Sequence, residues 1–143
     1  MSEQKPHPIS LGQLFFTRSM VIAVPEHVGK PGAVTQGPEN TITLNKVEGA
    51  GRNYLGTMRT VMNLSADKAY PYSIDMECVV QLTADDTLSD DEAYRGAFIT
   101  AHSVLYGAIR EAVAWITGRQ VYGPLMLGLS VLRPLQKKEA SVT

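Results

Sequence analysis

Residues 72–82 read YSIDMECVVQL, and the alternation within this stretch decides the fold class. Tyr72, Ile74, Met76, Cys78, Val80 and Leu82 fall on one side of an extended chain, while Ser73, Asp75, Glu77 and Gln81 fall mostly on the other, because successive side chains of a strand point to opposite faces. A strand with one dry and one wet face belongs to an antiparallel sheet covered on a single side.

Working outward toward the N-terminus, SADKAYP at 65–71 is a tight connection, and NYLGTMRTVMNLS at 53–65 is the preceding strand. The turn GAGR at 49–52 joins it to a short β-prone run from Thr41 to Val47. The first strand is expected from Gln13 to Val24, with Leu14, Phe16, Met20, Ile22 and Val24 on one face and Arg18 interrupting it. Short turns favour antiparallel neighbours. Only the segment from Pro25 to Asn40, with three prolines and three glycines, is long enough to reorder the sheet.

On the C-terminal side, TADDTLSDDEAYRG at 83–96 has the acids of a metal or acid–base site, but a simpler account serves. Ser89 and Glu92 have the spacing of a capping box, and the surrounding carboxylates suit the positive end of a helix dipole. The helix that follows carries Val104, Leu105, Ala108, Ile109, Ala112, Val113 and Ile116 at helical spacing and ends near Gly118. Trp115 and Tyr106 widen its apolar stripe, leaving one flank for the sheet and the other for a second subunit. The segment GRQVYGPLMLGLSVLRP at 118–134 then turns at Gly123 and Pro124 into an aliphatic run. That run is well short of the ~18 residues of a membrane span. It suits either a buried strand or a strip packed against something else.

Length and composition agree with one domain. The chain has 143 residues, 44% of them hydrophobic, with 13 Lys and Arg against 14 Asp and Glu. Such a balance lacks the basic footprint of a nucleic-acid binder. The single cysteine, Cys78, excludes an intrachain disulfide framework, and the start MSEQKPHPIS lacks the features of a secretory signal, so a cytoplasmic location is expected. The expected organisation is a flexible tail over 1–12, a domain over 13–134 and a short tail over 135–143. His7, His27 and His102 have no metal-ligand spacing, GLS at 128–130 lacks the second glycine of a nucleophile elbow, and no phosphate-binding glycine pattern occurs. Neither an enzyme nor a cofactor is expected.

The order of these elements resembles the SecB family of protein-export chaperones over roughly residues 14–134, through FFTRSMVIAVPEH, YLGTMRTVMNLS, YSIDMECVVQL and LYGAIREAVAWITGRQVYGPLMLGLSVLRP. The resemblance implies an α+β fold: a four-stranded antiparallel sheet with a long crossover, followed by helices on one face. It implies a homotetramer, a dimer of dimers, with Leu105, Ala108, Ile109, Ala112 and Trp115 between subunits. It also implies chaperone activity without nucleotide or metal, in which unfolded or precursor polypeptides lie in apolar grooves formed by Val28, Val34, Ile42, Leu44, Leu125, Met126, Leu127 and Leu129 and pass to the SecA motor in protein export and translocation.

Departures bear on that last step. The terminal helix is reduced to LQKKEASVT, and Val28 and Val34 stand where the family tends to place large aromatics. Ser19 and Ala23 occupy the positions of acidic contacts for the SecA tail, leaving Asp75, with Glu77 beside it, as the match. Two classes of function follow: a general holdase, or a binding module devoted to one partner of a phage, mobile element or toxin–antitoxin locus. A small-ligand site between helix and sheet is a third, weaker class.

Overall fold

The structure, a computed structural model, describes residues 7–28, 37–49, 51–130 and 132. Four strands precede one helix: β1 (Ile9–Ala23), β2 (Glu39–Val47), β3 (Arg52–Met62), β4 (Tyr72–Ala84) and α1 (Asp90–Thr117). All neighbours are antiparallel, in the order β1-β4-β3-β2. β1 and β2 therefore lie at opposite edges, and the Pro- and Gly-rich connection between them makes the expected crossover.

The alternation read in β4 is realised. Its even-numbered residues from Tyr72 to Ala84 are buried beneath α1, with Ile74, Met76, Cys78 and Val80 fully enclosed. From β3, Tyr54, Met58 and Met62 join the same layer. The helix starts at the predicted cap: the Ser89 hydroxyl accepts from the Glu92 amide, and the Glu92 carboxylate accepts from the Ser89 amide. This reciprocal bond holds the Glu92 carboxyl below the usual carboxylate range.

The helix buries a longer stripe than its bulky residues suggest. Ala93, Ala97 and Ala101 continue the line of Leu105, Ile109 and Val113 at four-residue spacing, and all six are fully enclosed. At Ala101 a small side chain suits a close approach of helix to sheet: a Cβ added to Gly56 would lie 2.9 Å from the Ala101 Cβ. Leu105 and Ile109 thus belong to the chain's own core. This corrects their expected place between subunits, since a side chain already enclosed by its own sheet has no surface left for a partner.

β1 also departs from expectation. It begins at Ile9, four residues before the aromatic-rich stretch suggests, because Ile9 is buried and pairs with Ala84. Its pairing with β4 is irregular between Leu11 and Leu14 and again between Phe16 and Arg18. An extra residue in a strand reverses which side chains point inward. Beyond the second irregularity Val21 and Ala23 pack against the core, while Met20 and Ile22, expected on the inner face, are 38% and 50% exposed.

Candidate functional site

The most constructed feature outside the core is the seating of the strip that follows α1. Thr117 ends the helix, and Gly118 stays in the right-handed helical region. The reversal instead comes at Gly123, whose φ of +81° favours glycine. From Pro124 the chain runs back along α1 without secondary structure of its own.

Helix side chains hold that strip by its backbone. The Thr117 hydroxyl accepts from the Leu125 amide at 2.8 Å, Arg110 Nε donates to the Leu127 carbonyl at 2.8 Å, and the Tyr106 hydroxyl donates to the Gly128 carbonyl at 2.6 Å. At the far end the Ser130 hydroxyl lies 3.0 Å from His102 Nε2 and accepts from Asn40 of β2 at 3.2 Å. Asn40 is itself fixed by the Thr60 hydroxyl at 2.6 Å. His102, Tyr106 and Arg110 stand four residues apart, so they form one polar-tipped column on the helix. Burial pushes the Tyr106 phenol above its ordinary pKa, which keeps it a neutral donor.

Leu127 is buried at 3% exposure and Leu125 is half-buried against the core, while Met126 and Leu129 are exposed at 65% and 85%. The expected binding residues therefore separate. Val28, Met126 and Leu129 present free apolar surface. Leu44 and Leu127 are core residues in this arrangement, and Ile42 packs against the same core, because both β2 side chains face the helix layer. Val34 lies outside the described residues. Tyr122 ties the turn after α1 to the chain after β1: its hydroxyl donates to the Val24 carbonyl at 2.5 Å and accepts from the His27 amide at 3.3 Å, with the His27 ring edge-on to its own.

A second apolar surface lies between α1 and β1, where Phe16, Ala108, Glu111, Ala112, Trp115 and Ile116 line a shallow groove of about 420 Å³. Three of the residues expected between subunits, Ala108, Ala112 and Trp115, meet here. The Trp115 ring carries the Arg119 guanidinium 4.3 Å from its centroid.

On the opposite face of the sheet, Asp75 is not the free acid a basic tail would need. Arg59 donates to both of its carboxylate oxygens at 2.9 Å, and Arg18 donates to one at 2.9 Å. The Arg59 hydrogen bonds hold the Asp75 carboxyl below the usual range despite its burial, with Arg18 adding to the effect. Glu77 accepts from the Thr17 hydroxyl at 2.6 Å and pairs in register with both Arg18 and Arg59. Both arginines are thus committed to Asp75, with Glu77 beside them in register. Ala23, which the resemblance matches to an acidic SecA contact, packs toward the core after the β1 irregularity, so an acid there would not join this cluster.

The backbone-holding column was not expected from the sequence, because nothing local to α1 says which distant groups His102, Tyr106 and Arg110 would meet. Their four-residue spacing was the available signal. For chemistry, burial pushes the Cys78 thiol up to about 11, so it stays protonated at neutral pH. Among the described residues no three His, Cys, Asp or Glu side chains are grouped to hold a metal, and no helix is long and apolar enough to cross a membrane.

No established sequence family matches the chain, and no curated protein matches it. Solved structures do match. One is the Mycobacterium tuberculosis SecB-like chaperone Rv1957 in complex with a ChAD peptide from the antitoxin HigA1 (Rv1956), with a TM-score of 0.61 at 17% identity over 86% of this chain and 88% of that one. Another is a Streptococcus agalactiae protein of unknown function, with a TM-score of 0.55 at 13% identity over 85% of this chain and 97% of that one. What these share with the present chain is the fold, a SecB-like α+β arrangement of a four-stranded antiparallel sheet followed by one long helix.

Proposed function

We propose that this chain is a SecB-like chaperone that holds extended apolar polypeptide, without catalysis and in the cytoplasm. The observation that carries the reading is the strip after α1, where side chains of the helix grip a polypeptide backbone while Met126 and Leu129 remain exposed beside it. Burial of apolar surface contributes ~25 cal/mol per Å² irrespective of sequence. Many weak contacts can therefore hold a client without reading its sequence. The likeness in fold to a chaperone solved with an antitoxin peptide supports the same class of ligand.

A module devoted to one partner is favoured over an export factor by a specific feature. The Arg18–Asp75–Arg59 cluster already neutralises Asp75, the acid at which a basic SecA tail would dock. SecA binding is accordingly weak or absent in this proposal. Self-association as a tetramer is assigned to the groove of Ala108, Ala112 and Trp115, where Trp115 and the neighbouring Phe16 are exposed and the two alanines only partly buried.

The test is suppression of aggregation of several unrelated unfolded proteins by the chain and by the double variant Met126→Ser, Leu129→Ser. Because both side chains are exposed, the variant should keep its melting temperature and lose most of its protection. Full protection by the variant would remove these residues from the binding surface, and absence of protection by the unmodified chain for every substrate would exclude the general holdase. Light scattering of the unmodified protein and of Ala112→Glu checks the assembly: the variant should fall to a smaller species, whereas a monomeric unmodified protein would end the tetramer proposal.

A further inference from the structure

We propose that residues 124–130 are the resident occupant of the polypeptide-binding groove: in the free protein they sit against α1 and β2 in place of a client, and an extended apolar segment binds by displacing them. The inference rests on the polypeptide-binding role proposed above and assigns its regulation.

Three features of the strip's seating carry it. Arg110 and Tyr106 contact the Leu127 and Gly128 carbonyls rather than side chains. Every polypeptide carries those acceptors, so an incoming segment offers the same partners. The inward residues are Leu125 and Leu127, two apart with Met126 turned outward, which is the pattern any extended segment with apolar residues at alternate positions presents. Finally, the strip has no strand pairing of its own, and of its aliphatic side chains only Leu127 is deeply buried. Its hold on the groove therefore rests on hydrogen bonds to its backbone and on one buried leucine, all of which a client segment can supply in its place.

The same geometry favours exchange over simple opening. If the strip left and nothing replaced it, the Tyr106 hydroxyl and the Arg110 guanidinium would exchange their carbonyl acceptors for water, and the apolar surface that Leu125 and Leu127 cover would be exposed at ~25 cal/mol per Å². A second polypeptide backbone restores both bonds. The groove is therefore selective for a polypeptide over a compact apolar molecule, which could cover Leu44 and Ile42 but supply no carbonyls at that spacing. Apparent affinity for a client is lowered by the fraction of molecules in which the strip is seated.

The probe is a fluorescein-labelled peptide repeating the strip, YGPLMLGLS, titrated by fluorescence anisotropy against the unmodified protein and Leu127→Ala, with hydrogen exchange at the amides of 125–130 followed in the free and peptide-bound unmodified protein. Loosening the resident strip should tighten peptide binding by about tenfold through the larger open fraction, and the strip amides should exchange faster in the complex. Weaker binding by a folded Leu127→Ala, with strip amides more protected in the complex, makes the strip a wall of the groove and overturns the inference while leaving the proposed function in place. Should Leu127→Ala fail to fold, the exchange measurement on the unmodified protein decides in the same two directions. No peptide binding by either protein ends both the inference and the reading on which it rests.

Discussion

On β4 the two faces of the sheet are shielded by unlike means. Beneath the helix, Ile74, Met76, Cys78 and Val80 are covered by a second layer of secondary structure. On the opposite face Ser73, Asp75 and Val79 are also buried, yet among the described residues no element lies over them. There the flanking strands supply the cover, with Arg18 from β1 and Arg59 from β3 reaching over Asp75 while Phe15 pairs beside Val79. Long arginine side chains can do this because their stems shield apolar surface while their charged heads stay hydrated. One face is closed by apolar contact, which pH does not alter; the other is closed by an ion cluster, which pH does.

The largest difference should appear on the helix side. Leu105→Ala leaves a cavity in a fully enclosed position and should cost about 2–5 kcal/mol by urea denaturation. Because Leu105 belongs to the chain's own core, the loss should not vary with protein concentration. A loss that shrank on dilution would return Leu105 to a subunit interface.

On the other face, Asp75→Asn should cost about 1–2 kcal/mol at neutral pH, below the cost of breaking a wholly buried pair because both arginine partners are half-exposed. Its sign with pH is the sharper test. Arg59 and Arg18 depress the folded-state pKa of Asp75 below the unfolded value of ~3.9. The stability contributed by Asp75 is therefore fully present above about pH 4 and is lost as pH falls through the folded value. Urea midpoints measured through this acid range should fall for the unmodified chain more steeply than for Asp75→Asn. Parallel curves would mean that the cluster stabilises nothing.

The smallest effect is expected at the rim of the ion cluster. Phe15→Ser and Ile22→Ser alter side chains 39% and 50% exposed, and each should change stability by less than about 1 kcal/mol in thermal melts at low protein concentration. A much larger, concentration-dependent loss would place a second subunit over this face and make the two faces alike after all.

The alternation in residues 72–82, the capping box at Ser89 and the long connection before β2 were enough for the sequence alone to determine an antiparallel sheet, its reordering by one crossover, and a following helix with its start. Each of these depends on neighbours in the chain, where periodicity and local hydrogen bonding leave few alternatives. What depends on distant partners was decided by the tertiary structure. The irregular pairing of β1 reversed its faces after Phe16, an event visible only against β4. Ala101 became core where Gly56 lets the helix approach, a contact between residues far apart in sequence. Leu105 and Ile109 lost their expected interface role, and Asp75 its free charge, once their partners were in place. The strip at 124–130 could be read from sequence as buried or exposed with equal right. It is both by turns, because a chain laid along one face of a helix must alternate, and the column of His102, Tyr106 and Arg110 sets where it lies.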